Sequence, residues 1–314
     1  MYSFLPTKNL VLVVDKSRCD PADFLDIAQR MRAQADDVIV QVLQPETIHS
    51  IAPETWRHPT LFVCLVRIRN LAIRRGNILM TRPIPKLRQA EMMQLANVAT
   101  PHVERYRFGM QLDEALWGSH VVLKPEELHF TSKGVGLEVI AAGSLSGKNR
   151  QDFAPDHFAH QGTMLVQRFV DTGRHPVIYR AMTFMGEVLT IYKVTYAPEK
   201  TPGMATVPTD FHSKTLETHR EFEHFPDVYE FARQTASAFR HWPLLGCDIL
   251  QEDGTEKLYT IEVNAGGNVW HFSSPFNAKQ RQEHPEFNAP RLNQYGAFDV
   301  AAKALIKATR QLAV

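Results

Sequence analysis

A chain of 314 residues is long enough for two domains, or for one with a large insertion. Its 44% hydrophobic and 22% charged residues describe a globular protein with a buried core. With 35 Lys and Arg against 34 Asp and Glu the formal net charge is +1, so there is no basic excess to neutralise the phosphates of a nucleic acid. No apolar run reaches the roughly 20 residues of a membrane helix, and the first residues lack a signal-peptide pattern. Cys19, Cys64 and Cys247 have no metal-site spacing and read as reduced thiols. The expected setting is cytoplasmic, with neither membrane nor nucleic acid as partner.

Leu10-Val11-Leu12-Val13-Val14 is a continuous apolar run of the kind that forms a strand covered on both faces. Asp20 is placed to cap a helix with Pro21 in its first turn and Phe24, Ile27, Ala28 and Met31 on one face. Further strands are predicted at 38–42 and 61–66, which makes a small parallel sheet from βαβ units, without a GxGxxG dinucleotide signature. Pro85 opens a helix over 86–96. Strand signals follow at 121–123 and 164–166, and a hairpin is predicted from 177–180 and 188–193 around Gly186-Glu187. Residues 196–225 are polar and aperiodic, as in a functional lid or mobile loop. Asp227 is then placed to cap a helix, with Glu230 at the capping-box position. A last helix carries Phe298, Ala301, Leu305, Ala308 and Leu312 on one stripe.

The chemistry concentrates in 246–264. Gly246-Cys247-Asp248-Ile249-Leu250 and Leu258-Tyr259-Thr260-Ile261-Glu262-Val263-Asn264 flank an Asp-Gly and predict a hairpin. In the register that sets Asp248 opposite Glu262, those two and Asn264 share one face, together with Leu250 and Leu258. Cys247, Ile249, Ile261 and Val263 take the other face. Clustered carboxylates repel unless a cation lies between them, and hard oxygen donors suit Mg²⁺ with substrate phosphates completing its shell. A solvated hairpin face would carry the same residues. Upstream, Lys124 ends an apolar strand, the Gly134-Val135-Gly136 turn is able to fold its amides round a phosphate, and Arg180 and Lys193 sit on the predicted hairpin.

Taken in order, Lys86, Val122-Leu123-Lys124-Pro125, Gly134-Val135-Gly136, Leu165 to Val170, Tyr179-Arg180, Gly246 to Leu250 and Ile261 to Asn264 resemble the ATP-grasp superfamily. The likeness is greatest to its carboxylate–amine ligase branch, which includes glutathione synthetase-like and ribosomal-protein S6 glutamate ligase-like enzymes. The resemblance implies an α/β (α+β) ATP-grasp fold, with a small N-terminal βαβ parallel-sheet domain over 1–83. A central lobe with a nucleotide-covering loop would occupy 84–173, and a C-terminal lobe with a metal-binding hairpin 174–314, the two lobes clasping ATP. It implies an ATP- and Mg²⁺-dependent ligase, with Mn²⁺ as a substitute ion. Such an enzyme activates a substrate carboxylate as an acyl phosphate and couples it to an amine, releasing ADP and phosphate.

Its implied partners are small-molecule or peptide carboxylate and amine substrates, and it implies a homodimer. By the resemblance, Lys86 and Lys124 reach the nucleotide, Gly134 and Gly136 cover its phosphates, and the backbone of Gln167, Arg168, Phe169 and Val170 reads the adenine edge. Asp171 meets the ribose, Arg180 and Lys193 act at the transferred phosphoryl group, and Asp248, Glu262 and Asn264 hold the metal. Two positions depart from the family pattern: Arg168 stands where Glu is usual, and Ala265 to Ser274 replaces the usual Ser/Pro-Gly loop. A kinase on the same scaffold and a nucleotide-responsive binding module without turnover are the alternative readings.

Overall fold

A computed structural model of the protein describes residues 7–51, 53–69, 75–126, 136–197 and 218–314. The first sheet is built as its apolar runs predict. Strand β1 (Lys8–Val13), helix α1 (Pro21–Gln34), β2 (Val38–Leu43), β3 (Thr60–Cys64) and β4 (Asn77–Met80) give a parallel sheet in the order β2-β1-β3-β4. Asp20 caps α1 by accepting from the Ala22 N–H at 2.9 Å. Strand β4 is short and two of its four residues are exposed, so its signal in the sequence is weak.

Helix α2 (Lys86–Leu95) leads into a second sheet. It comprises β5 (Val103–Arg105), β6 (His120–Pro125), β7 (Glu138–Ala141) and β8 (Met164–Arg168), antiparallel in the order β5-β8-β6-β7, with short helices α3 (Glu114–Trp117) and α4 (Ala142–Leu145) against it. The third sheet holds β9 (Val177–Phe184), β10 (Glu187–Tyr196), β11 (Thr218–Glu221), β12 (Leu244–Gln251) and β13 (Leu258–Ala265), in the order β11-β10-β9-β12-β13. Met185 and Gly186, both at positive φ, make the two-residue turn between β9 and β10, one residue earlier than predicted. Helix α5 (Pro226–Ser237) covers one face of this sheet. It starts at Pro226 with Phe225 before it, so Asp227 lies inside the first turn rather than at the cap.

Three helices close the chain: α6 (Ala278–Glu283), α7 (Asn288–Asn293) and α8 (Ala297–Leu312). The apolar stripe of α8 shares a core with Leu10 and Leu12 of the first sheet, with Phe24 and Met31 of α1, and with Phe184 and Leu244 of the third sheet. The last helix therefore fastens the N-terminal sheet to the sheet that carries the hairpin. All three cysteines are free and buried, and burial pushes the Cys19 and Cys64 thiols up to about 12, so they pack as small apolar groups. Among the described residues no helix is long and apolar enough to cross a membrane.

Candidate functional site

On an antiparallel ladder, directly opposed residues point to the same face. Across the third sheet Tyr192 opposes Arg180, Arg180 opposes Asp248, and Asp248 opposes Glu262. Four chemically active side chains thus form one row across β10, β9, β12 and β13. Gly246 lies one step along, between Met182 and Asn264, and a Cβ there would come within 2.9 Å of the Val269 side chain, which would have to shift. Asn264, opposite Gly246 and so one step off the row, is exposed.

The hairpin departs from the sequence expectation in one respect. A β-bulge after Asp248 shifts the pairing to Ile249 opposite Thr260. The shift turns Ile261 onto the acidic face, where it packs with Leu250 and Tyr192, and turns Leu258 into the opposite core. Alternation read from the sequence assigns both residues to the wrong faces because an inserted residue is invisible to a period of two.

The charges in this row are strongly coupled. Burial pushes the Asp248 carboxyl up to about 6, while Arg180 beside it pulls down and Glu262 opposite pushes up. The Arg180 Nε lies 3.6 Å from the Asp248 carboxylate, which holds the guanidinium above its ordinary value, and among the described residues that Nε has no hydrogen-bond partner. Lys193 is not part of the row. It opposes Tyr179, on the other face of the sheet from Arg180, and pairs with Glu221 at 3.3 Å. The expectation that both cations face one ligand is corrected by strand alternation: the β10 residue on the Arg180 face is Tyr192.

The second sheet and α2 supply the facing wall. Lys86, the first residue of α2, places its Nζ 3.9 Å from Glu262. Gln89, one turn on, accepts from the Val263 N–H at 2.7 Å and donates to the Ile84 carbonyl at 2.9 Å, pinning α2 to β13. No motif flagged Gln89; its signal is a buried amide within a helix. Lys124 is 7% exposed and donates to the Gln167 side chain. Burial pulls its ammonium down to about 8, with Lys86 adding to the effect and Glu262 opposing it.

Gln167 thus acts through its side chain, orienting Lys124. The Arg168 and Phe169 N–H groups donate to the His102 and His120 carbonyls, so neither is free to read a base edge. The Val170 N–H has no partner among the described residues. The Arg168 side chain bonds Glu252 at 2.8 Å and lies over the Tyr259 ring at 5.2 Å, bracing β8 against the end of β12. Asp171 accepts the Gly173 N–H at 3.0 Å, and its carbonyl accepts from the Asp253 N–H at 2.8 Å. Gly136 has φ +74°, and a Cβ there would come within 2.7 Å of Phe158. Gly134 lies outside the described residues.

The donor set bears on which ion this site suits. Among the described residues no three His, Cys, Asp or Glu side chains converge. Two opposed carboxylates and an amide two residues on are hard oxygen donors, too few for a closed cage. That set fits a divalent ion such as Mg²⁺ that takes its remaining ligands from water and phosphate; burial is the main reason the Asp248 carboxyl is raised, and Glu262 opposite adds a repulsion that such an ion would relieve.

No protein-family model matches this sequence, and no curated protein does. Among solved structures, the ATP-grasp ligase PsnB complexed with a minimal precursor superposes with a TM-score of 0.51 at 13% identity, over 97% of this chain and 100% of that one. The chain has the ATP-grasp fold. D-alanine–D-alanine ligase from Bacillus anthracis aligns at a TM-score of 0.48 and 12% identity, over 97% and 99% of the two chains. Macrocyclase MdnC, bound with precursor peptide MdnA from Microcystis aeruginosa MRC, aligns at 0.49 and 10%, over 95% and 99%. In this ATP-grasp fold, the row from Tyr192 to Glu262 lies on the third sheet, and Lys86 and Lys124 face it from α2 and the second sheet.

Proposed function

We propose that the protein is an ATP- and Mg²⁺-dependent ligase that activates a substrate carboxylate as an acyl phosphate and couples it to an amine, releasing ADP and phosphate. The observation that carries this reading is the Arg180–Asp248–Glu262 row facing Lys86 and Lys124. Likeness in fold to PsnB, described as an ATP-grasp ligase in complex with a minimal precursor, supports it and makes a peptide carboxylate or amine a candidate substrate.

In this reading Asp248, Glu262 and Asn264 hold Mg²⁺, which when bound neutralises phosphate charge that would repel an incoming carboxylate. Lys124, oriented by Gln167, and Lys86 bind the phosphates. The Val170 N–H reads the adenine edge, and Gly136 belongs to the loop that covers the phosphates. Arg180, held in place by Asp248, offers its Nε, which has no hydrogen-bond partner among the described residues, to the charge that develops as the phosphoryl group moves. No protein nucleophile takes part, so catalysis is positioning, electrostatics and exclusion of water.

The test is ADP release from ATP across a panel of carboxylic acids, with hydroxylamine in place of the amine. A hydroxamate formed with ADP supports the acyl phosphate. ADP release with a stable phosphate ester indicates a kinase instead, and nucleotide binding without ADP release indicates a binding module.

A further inference from the structure

Arg291 of α7 is 2% exposed, yet among the described residues its Nε has no hydrogen-bond partner and its Nη1 reaches only the His271 carbonyl, at 3.4 Å. Arg281 donates to two neutral acceptors, the Ser274 carbonyl at 2.8 Å and the His271 carbonyl at 3.3 Å. Among the described residues neither arginine forms an ion pair with a carboxylate. Asp23, the acid that bears on Arg281, accepts instead from Trp270 Nε1 at 2.8 Å. Burial pulls both guanidinium groups below their ordinary value, and Arg281 and Arg220 add to the effect on Arg291. Burial pulls His271 down to about 3, with Arg291, Arg180 and Arg281 adding to it, so its imidazole is neutral and offsets none of this charge.

A buried guanidinium without a counter-charge is costly, and an arriving anion removes that cost. The cluster adjoins the row described above. Tyr192, directly opposite Arg180, has its ring 5.9 Å from His271 and 5.3 Å from Phe222, and Arg291 lies over Phe222 at 5.5 Å. Arg281 and Arg291 also line a cavity of about 480 Å³ with Asp23, Phe272, Leu292 and Phe298. The planar fork of arginine matches a carboxylate, and the rings and leucine suit an apolar body beside it.

We propose that Arg291 and Arg281 form a subsite for a free carboxylate on one of the two substrates, one with an apolar group next to that carboxylate; this rests on the ligase reading. The subsite lies beyond Tyr192 from Arg180, so the bound carboxylate is not the one that is phosphorylated. It belongs either to the amine substrate or to a second acidic group of the acid substrate.

The test measures equilibrium binding to the full-length protein by calorimetry or ligand-observed NMR, and so does not depend on turnover. The probes are L-phenylalanine and 3-phenylpropanoate, each beside its primary amide. At least one acid is expected to bind, with its amide about tenfold or more weaker. Stronger binding of L-phenylalanine assigns the carboxylate to the amine substrate, and stronger binding of 3-phenylpropanoate assigns it to the acid. Arg291→Gln and Arg281→Gln are both expected to erase the preference for acid over amide. The second variant is included because a buried change at 291 endangers the fold, and circular dichroism verifies both. Equal binding of acid and amide, binding of neither, or an Arg281→Gln protein with wild-type preference overturns the proposal. MgADP titrated into the same samples separates the two readings, since lost nucleotide binding with an intact acid preference sinks only the ligase.

Discussion

Asp248 and Glu262 stand directly opposite one another on β12 and β13, on the face that also carries Arg180. Two carboxylates at such a position destabilise each other unless a cation relieves them. MgADP is therefore expected to raise the melting temperature of the wild type and to raise that of Asp248→Asn and Glu262→Gln by clearly less at the same concentration. Both variants should stay folded, with ADP release reduced at least about 100-fold. Differential scanning fluorimetry with and without EDTA reads the first effect and a coupled ADP assay the second.

Arg180 and Lys193 separate by strand face. Arg180→Ala is expected to lower ADP release about 10²- to 10³-fold, as loss of a charge-stabilising donor does elsewhere. Lys193→Ala, which breaks only the pair with Glu221 on the opposite face, should leave kcat within about twofold and cost about 0.5 kcal/mol of stability. Steady-state kinetics and urea unfolding of the two variants side by side make the comparison.

Lys124 gives the protein a pH signature. Its folded pKa of about 8 lies below its ordinary 10.5. Between those values the unfolded chain holds a proton that the folded chain has released, so stability rises with pH through that window. Relative to Lys124→Met, the wild type should gain on the order of 2–3 kcal/mol between pH 7 and pH 10.5 in urea unfolding. ADP affinity should move the other way, falling above pH 8 as the ammonium loses its charge.

Arg168 is a brace. Its pair with Glu252 joins β8 to the end of β12, next to the Asp253–Asp171 backbone bond. Arg168→Glu should cost about 1 kcal/mol, and the charge-swapped pair Arg168→Glu with Glu252→Arg should recover most of it. A double-mutant cycle by chemical denaturation measures the coupling.

Much of this was legible in the sequence where the signal was local. The apolar runs of β1 and β3, the Asp20 cap and the Asp248–Glu262 register all follow from short-range patterns, and the structure bears them out. What escaped depends on a shift of register or on distance in the chain. The bulge after Asp248 moves Ile261 and Leu258 to faces that period two denies them. The resemblance gives Lys193 a role at the phosphoryl group, although its neighbour Tyr192 is the residue that shares the Arg180 face. The Arg281–Arg291 cluster gathers from helices some hundred residues beyond β9 and β10, so no spacing rule could flag it.

The most direct measurement is isothermal titration of ADP into wild-type protein and the Glu262→Gln variant, each with excess Mg²⁺ and again with EDTA. Wild type should bind ADP only with Mg²⁺, and Glu262→Gln should lose at least about tenfold of that affinity. Wild-type protein that ignores ADP, or a variant that binds it as tightly with or without metal, would contradict the account.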